Sequence, residues 1–261
     1  MNALFAASIG ALLLQAPPPE TLRVGLDPRS EPSAFVPGVN YSYDETRKPP
    51  AMAEQALGLL EGFEIDVMNA LGRRLGVTPR VVPTSWFDLE KNLLEGRFDV
   101  ILGSWTPSER TSKEIVASIP YYDWGLVVAV RSDDARVRTL ADLAGLKIGH
   151  IPDPAVEGAL RELDRGLGVR AVLVRDNGSL LFDDLKAGLI DALIFDSPYV
   201  RWRVSRDRSF RVVGEPLNRL GYHVGVRRAD AALLARLNAA IQAFRDSDES
   251  REIRKKWGSA P

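Results

Sequence analysis

The feature that most constrains this chain is a regular alternation of short apolar runs with longer segments whose apolar residues recur at helical spacing. Leu22 to Leu26 reads as a strand. Phe63 to Leu75 repeats its apolar residues with a helical period and stops at Gly76, a residue suited to the left-handed turn that ends helices. Val77 to Val82 is again strand-like, Leu89 to Glu95 helical, and Phe98 to Leu102 a buried strand. Such a rhythm predicts a largely parallel sheet with helices on its faces.

After Asp123 a second set begins. Gly125 to Val130 is an apolar strand, Thr139 to Gly145 a short helix with a Thr cap and a Gly stop, and Lys147 to His150 a strand. A helix from Ala155, a strand from Ala171 to Val174, a helix from Leu180 to Ala187 and a strand from Ala192 to Phe195 follow. The chain returns through one expected strand, Tyr222 to Val226, a long helix, Ala231 to Phe244, and a basic helix ending at Trp257. Two α/β lobes are implied, with no internal repeat. Residues 33–60 break the rhythm: Pro37, Gly38, Pro49, Pro50, two tyrosines at Tyr41 and Tyr43, and a helical stretch from Met52 to Leu60 read as an inserted loop.

Charge and composition remove several function classes. With 34 Lys plus Arg against 35 Asp plus Glu, the chain has no electrostatic footprint for nucleic acid or an anionic membrane surface. The absence of cysteine removes disulfides, thiolate metal sites and cysteine nucleophiles. Two histidines, His150 and His223, stand far apart and in no HExxH pattern, so neither a metal nor a cofactor is expected. Residues 1–20 contain an apolar run from Met1 to Ala16 followed by three prolines. This reads as a secretory signal that lacks a basic n-region, the alternative being an apolar tail; no Cys follows it to carry a lipid.

At Leu22–Pro28, Gly62–Val67, Ser85–Leu89 and the stretch from Gly96 through Arg110, the sequence resembles the extracellular solute-binding proteins of family 3, the amino-acid receptors of ABC importers. Pro120–Asp123, Leu143–Gly149, Gly188–Ala192, Phe195–Pro198 and Lys256–Gly258 continue the match in family order. The resemblance implies an α/β, two-lobed type II periplasmic-binding-protein fold with two hinge crossings, near Leu126 and Leu217, that closes on a ligand. Lobe 1 would be residues 21–126 plus 219–261, carrying the 33–60 insertion, and lobe 2 residues 127–218. It implies a periplasmic or secreted monomer that hands a small amino acid or amine to an inner-membrane ABC permease.

The resemblance also assigns a site. Arg110 matches the position that forks onto a ligand carboxylate, although the residues alone favour a surface Arg beginning a helix. Asp196 matches the ammonium partner at the carboxyl end of a strand, its alternative being a helix N-cap before Ser197-Pro198. Trp86 matches the aromatic platform, with a core Trp as its alternative. Gly103, Ser104 and Thr106 match the polar binding strand when counted from Asp99; counting back from Arg110 shifts the register by one and brings in Trp105.

Three departures bear on the ligand. The aromatic expected after the first strand is Ser30, with Phe35 or the inserted tyrosines as substitutes. The hydroxyl-rich turn of lobe 2 is Asp153-Pro154-Ala155, where Asp153 brings a charge and Pro154 removes a donor. If Asp27, Glu31, Asp153 and Asp196 face the cleft they outnumber Arg110, and basic or neutral amino acids or related amines would be preferred over glutamate or aspartate. Asp153 as a plain helix cap and Glu31 turned to solvent are the alternatives. The expected protein is a receptor and not an enzyme. Its rivals are a cyclohexadienyl dehydratase-like enzyme using Asp153, Glu31 or Asp27 as an acid, and an orphan sensor or accessory binder.

Overall fold

The computed structural model describes residues 20–39, 54–175 and 178–258. Most of the signal-like segment, Tyr41, Tyr43 and the first part of the expected helix at 52–60 lie outside them.

In chain order the elements are β1 (Glu20–Leu26), α1 (Glu54–Leu57), α2 (Phe63–Leu75), β2 (Val77–Pro83), α3 (Leu89–Leu94), β3 (Val100–Ile101), β4 (Ile115–Ala117) and β5 (Tyr122–Trp124). Next come β6 (Leu126–Arg131), β7 (Lys147–His150), α4 (Pro154–Leu167), β8 (Arg170–Val174), α5 (Gly178–Lys186), β9 (Ala192–Asp196), α6 (Ser197–Arg206) and β10 (Phe210–Val213). The chain ends with β11 (Leu220–Tyr222), β12 (Gly225–Arg227), α7 (Ala231–Arg245) and α8 (Asp248–Lys256). Gly76 ends α2 in the left-handed conformation, its N–H reaching back to Arg73.

The strands form two five-stranded sheets, ordered β2-β1-β3-β12-β4 and β10-β6-β9-β7-β8. In the first, β1 runs parallel to β2 and β3 while β12 runs antiparallel to β3 and β4. In the second, β7 runs parallel to β8 and β9 while β6 runs antiparallel to β9 and β10. Strand periodicity explains why the apolar run of β6 contains almost no polar residue. Its Leu126, Val128 and Val130 belong to the core shared with α4, and Val127 and Ala129 to the core beneath α5 and α6, so both faces are covered.

A two-stranded antiparallel ribbon, β5 with β11, carries the chain out of the first sheet and back. Here the expected single strand at 222–226 is corrected: Tyr222 ends β11, and β12 starts only at Gly225. His223 and Val224 spend their N–H groups on Trp105 O and Ser118 Oγ, because the chain changes sheets between them. The strand expected at 98–102 pairs only at Val100–Ile101, although Phe98, Leu102 and the residues between, except Asp99, are buried. At the crossing, an added Cβ on Gly125 would fall 2.3 Å from Asn218 O, so the outgoing and returning chains approach as closely as a glycine permits. Asn218 Oδ1 accepts the Leu126 N–H at 2.9 Å, fixing that approach.

Candidate functional site

The carboxyl ends of β1 and β3 present the first group of expected site residues. Asp27 follows β1 and is buried, but its charge is taken: Oδ1 accepts from Arg29 Nε at 2.8 Å and Oδ2 from Arg29 Nη2 at 2.6 Å. Oδ2 also accepts the Trp86 N–H at 3.0 Å, so the pair sets the start of the turn that carries Trp86. The expectation that Asp27 adds a free negative charge to the cleft is corrected, since a side chain only two residues away folds back and neutralises it. Glu31 is exposed. Trp86 itself is half-buried, edge-on to Phe87 at 5.6 Å between centroids.

Past β3 the chain turns through Gly103 and Ser104, at φ 121 and 59. A left-handed serine costs conformational energy, and its surroundings supply the compensation. Glu64, in the first turn of α2 and wholly buried, accepts from Ser104 N at 2.8 Å and from Ser104 Oγ at 3.1 Å. The Tyr121 phenol donates to the same carboxylate at 2.7 and 2.9 Å. Burial pushes the Glu64 carboxyl up to about 7, against the pull of the Tyr121, Ser104 and Gly103 donors. The Ser104 donors are therefore turned toward Glu64. Thr106 donates its hydroxyl to Gly221 O at 2.9 Å, tying the same loop to β11. Trp105, brought in by the alternative register, is buried under α3 with Leu89 and Leu93.

Arg110 lies beyond this loop, exposed, and reaches the other sheet's elements. Its Nη2 donates to Glu157 Oε2, in the first turn of α4, at 2.9 Å. Asp153 caps the same helix, accepting from Ala155 N at 2.8 Å and Val156 N at 3.2 Å, with Pro154 following it. Burial raises the Asp153 carboxyl, as does the nearby Glu157, while Arg110 acts the other way.

Asp196 ends β9 and stands at the N-cap position of α6, yet its side chain makes no capping bond. It turns instead to Tyr222, whose phenol donates to Oδ2 at 2.7 Å. Burial pushes Asp196 up to about 7; the Tyr222 hydrogen bond opposes this and the like charge of Asp153 adds to it. Arg110, Glu157, Asp153, Asp196 and Tyr222 thus form a connected set running from the loop after β3, across α4 and β9, to β11.

Phe35 does not join this set. It pairs with Glu61 as an isolated bridge and packs edge-on against Trp257, at 6.0 Å between centroids, so the proposed substitute for the missing aromatic is a packing residue. Sequence reading missed Glu157, Tyr222, Glu64 and Arg29. Only Glu64 left a signal, as an acid inside the apolar run Gly62-Phe63-Glu64-Ile65. Among the described residues no group of three or more His, Asp or Glu is arranged to hold a metal ion, and no helix is long and apolar enough to cross a membrane.

Comparison with known proteins bears on the fold and the family. The chain is 28% identical over 214 residues to the L-cystine-binding protein of Escherichia coli K12, covering 81% of this chain and 79% of that one. An ancestral arginine-binding protein bound to arginine superposes with a TM-score of 0.71 at 27% identity, over 91% of this chain and 97% of the other. An ancestral amino acid-binding protein described as a precursor of cyclohexadienyl dehydratase gives the same TM-score, 0.71, at 25% identity, over 91% and 94%. These likenesses show a type II periplasmic-binding-protein fold. The model of the bacterial extracellular solute-binding proteins, family 3, matches residues 39–260, and the chain belongs to that family.

Proposed function

We propose that this protein is the periplasmic receptor of an ABC importer and captures a small amine-bearing ligand, an amino acid or a related amine, between its two sheets. Asp196 receives the ligand's cationic group, Trp86 offers a face to its apolar body, and Arg110 stands opposite. The observation that carries this reading is the state of Asp196. It is a largely buried carboxylate at the carboxyl end of a strand, makes no helix cap, and among the described residues has Tyr222 as its hydrogen-bond partner. Buried acids are ordinarily paired, so one held by a single phenol suits an incoming ammonium or guanidinium.

The two lobes in this proposal are residues 21–126 with 219–261, and residues 127–218, swinging about the β5–β11 ribbon as a monomer. Receptor action rather than dehydration is favoured because each of the three candidate acids is otherwise placed: Asp27 is paired with Arg29, Glu31 is exposed, and Asp153 caps α4 through the Ala155 and Val156 N–H groups. A thermal-shift screen of amino acids, amines and small carboxylates tests the reading. At a hundred times its Kd, a true ligand stabilises by about 2.7 kcal/mol. Scattering with that ligand should show a smaller radius of gyration; a screen in which no amino acid or amine stabilises the protein contradicts the proposal.

A further inference from the structure

The chemical class of the ligand, which rests on the receptor reading above, follows from how the cleft's anion-binding groups are already occupied. An amino-acid zwitterion brings a carboxylate that needs donors, and two kinds are available where the sheets face each other. One is the Arg110 guanidinium, the other the N–H groups of the first turn of α4.

Both are engaged by the chain's own acids. Arg110 Nη2 donates to Glu157 Oε2 at 2.9 Å. Ala155 and Val156 donate to Asp153 Oδ1, and Pro154 has no N–H to offer. Asp153 and Glu157 lie four residues apart, one turn along the same helix face. Glu157 bonds the Arg110 guanidinium, Asp153 is close enough to interact with both, and Asp196 adds a third carboxylate that interacts with Asp153. A ligand carboxylate entering here must displace Glu157 or Asp153 or face like charge, whereas a cation meets an excess of acceptors.

We propose that the ligand is a small amine or guanidine cation that lacks an α-carboxylate, with its cationic head on Asp196. Glu157 and Asp153 already take donors that the carboxylate of an amino acid would need. The binding proteins similar to this chain are named for amino acids, so this is a departure of this chain from them, built on Asp153, Pro154 and Glu157.

Calorimetric titration of the purified protein with three matched pairs tests it: agmatine against L-arginine, putrescine against L-ornithine, and cadaverine against L-lysine. The decarboxylated member is expected to bind at least tenfold more tightly in at least one pair, and no amino acid to bind more tightly than its amine. Glu157→Gln frees Arg110 and is expected to narrow the preference at least threefold; Glu157 is partly exposed, so the variant can be checked for an unchanged melting temperature. An amino acid binding as tightly as its amine in every pair that binds overturns the proposal, as does an unchanged preference in Glu157→Gln. Binding of L-glutamine or L-cystine with none of the amines overturns it while leaving the receptor reading intact. Absence of binding by every compound overturns both.

Discussion

The Tyr222 phenol donates a 2.7 Å hydrogen bond to Asp196, joining the ribbon strand that returns to the first sheet to the acid that ends β9 in the second. Burial pushes the Tyr222 phenol well above its usual range, with the neighbouring Asp196 acting in the same direction, so the phenol remains a donor throughout the physiological range. The candidate binding acid is thus positioned by the crossing between the sheets.

Removing that donor should be felt as both stability and affinity. Tyr222→Phe keeps the ring, which stacks on Trp124 at 4.9 Å, but leaves Asp196 without its hydrogen bond. A loss of about 1–3 kcal/mol in urea unfolding is expected. Because the bond lowers the Asp196 pKa, its loss raises that pKa further, and the pH at which cation binding sets in should move up. A variant with wild-type stability and an unmoved pH profile of binding contradicts this role.

Glu64 gives the free protein an unusual dependence of stability on pH. Its carboxyl is raised from 4.5 to about 7, so between these values the folded protein binds more protons than the unfolded chain. Stability from this group is therefore fully present below about pH 4.5 and lost as the pH rises through about 7. The full swing is of the order of 3 kcal/mol. Asp196, raised from 3.8 to about 7, acts in the same sense. Denaturant titrations of Glu64→Gln from pH 4.5 to 8 should show a flatter profile than the parent. A parent whose stability rises steadily over that range with no change in the variant contradicts the assignment.

The Asp27–Arg29 pair is nearly enclosed, with side chains 7% and 3% exposed. Breaking a buried pair from one side leaves an uncompensated charge, so Arg29→Met should cost about 3–5 kcal/mol in urea unfolding. It should also loosen the turn bearing Trp86, whose N–H bonds to the same carboxylate, visible as a change in tryptophan fluorescence. A cost below about 1 kcal/mol contradicts the pairing.

The elements were legible where a short-range pattern fixes them. α2 runs from Phe63 to Leu75 and stops at Gly76 as its period and stop residue indicate, and β6 and β9 fall on the apolar runs that two covered faces require. The split of residues 222–226 between β11 and β12 was not legible, because both halves carry strand-like residues and only the partner strands differ. Arg110 and Asp196 were singled out as candidates through the family resemblance. Glu157 was not, since its bond to Arg110 joins residues 47 positions apart with no sequence periodicity linking them. Asp27 misled for the opposite reason: it carries a charge in a suggestive place, and only the folded turn reveals that Arg29 cancels it.

Calorimetric titration of Asp196→Asn with the ligand that the screen identifies, beside the parent protein, tests the role of Asp196 most directly. Asparagine keeps the shape and can still accept from Tyr222, but it removes the charge that the cation meets. The account predicts at least a hundredfold weaker binding, about 2.7 kcal/mol, with a melting temperature no lower than that of the ligand-free parent. Affinity within threefold of the parent would contradict it.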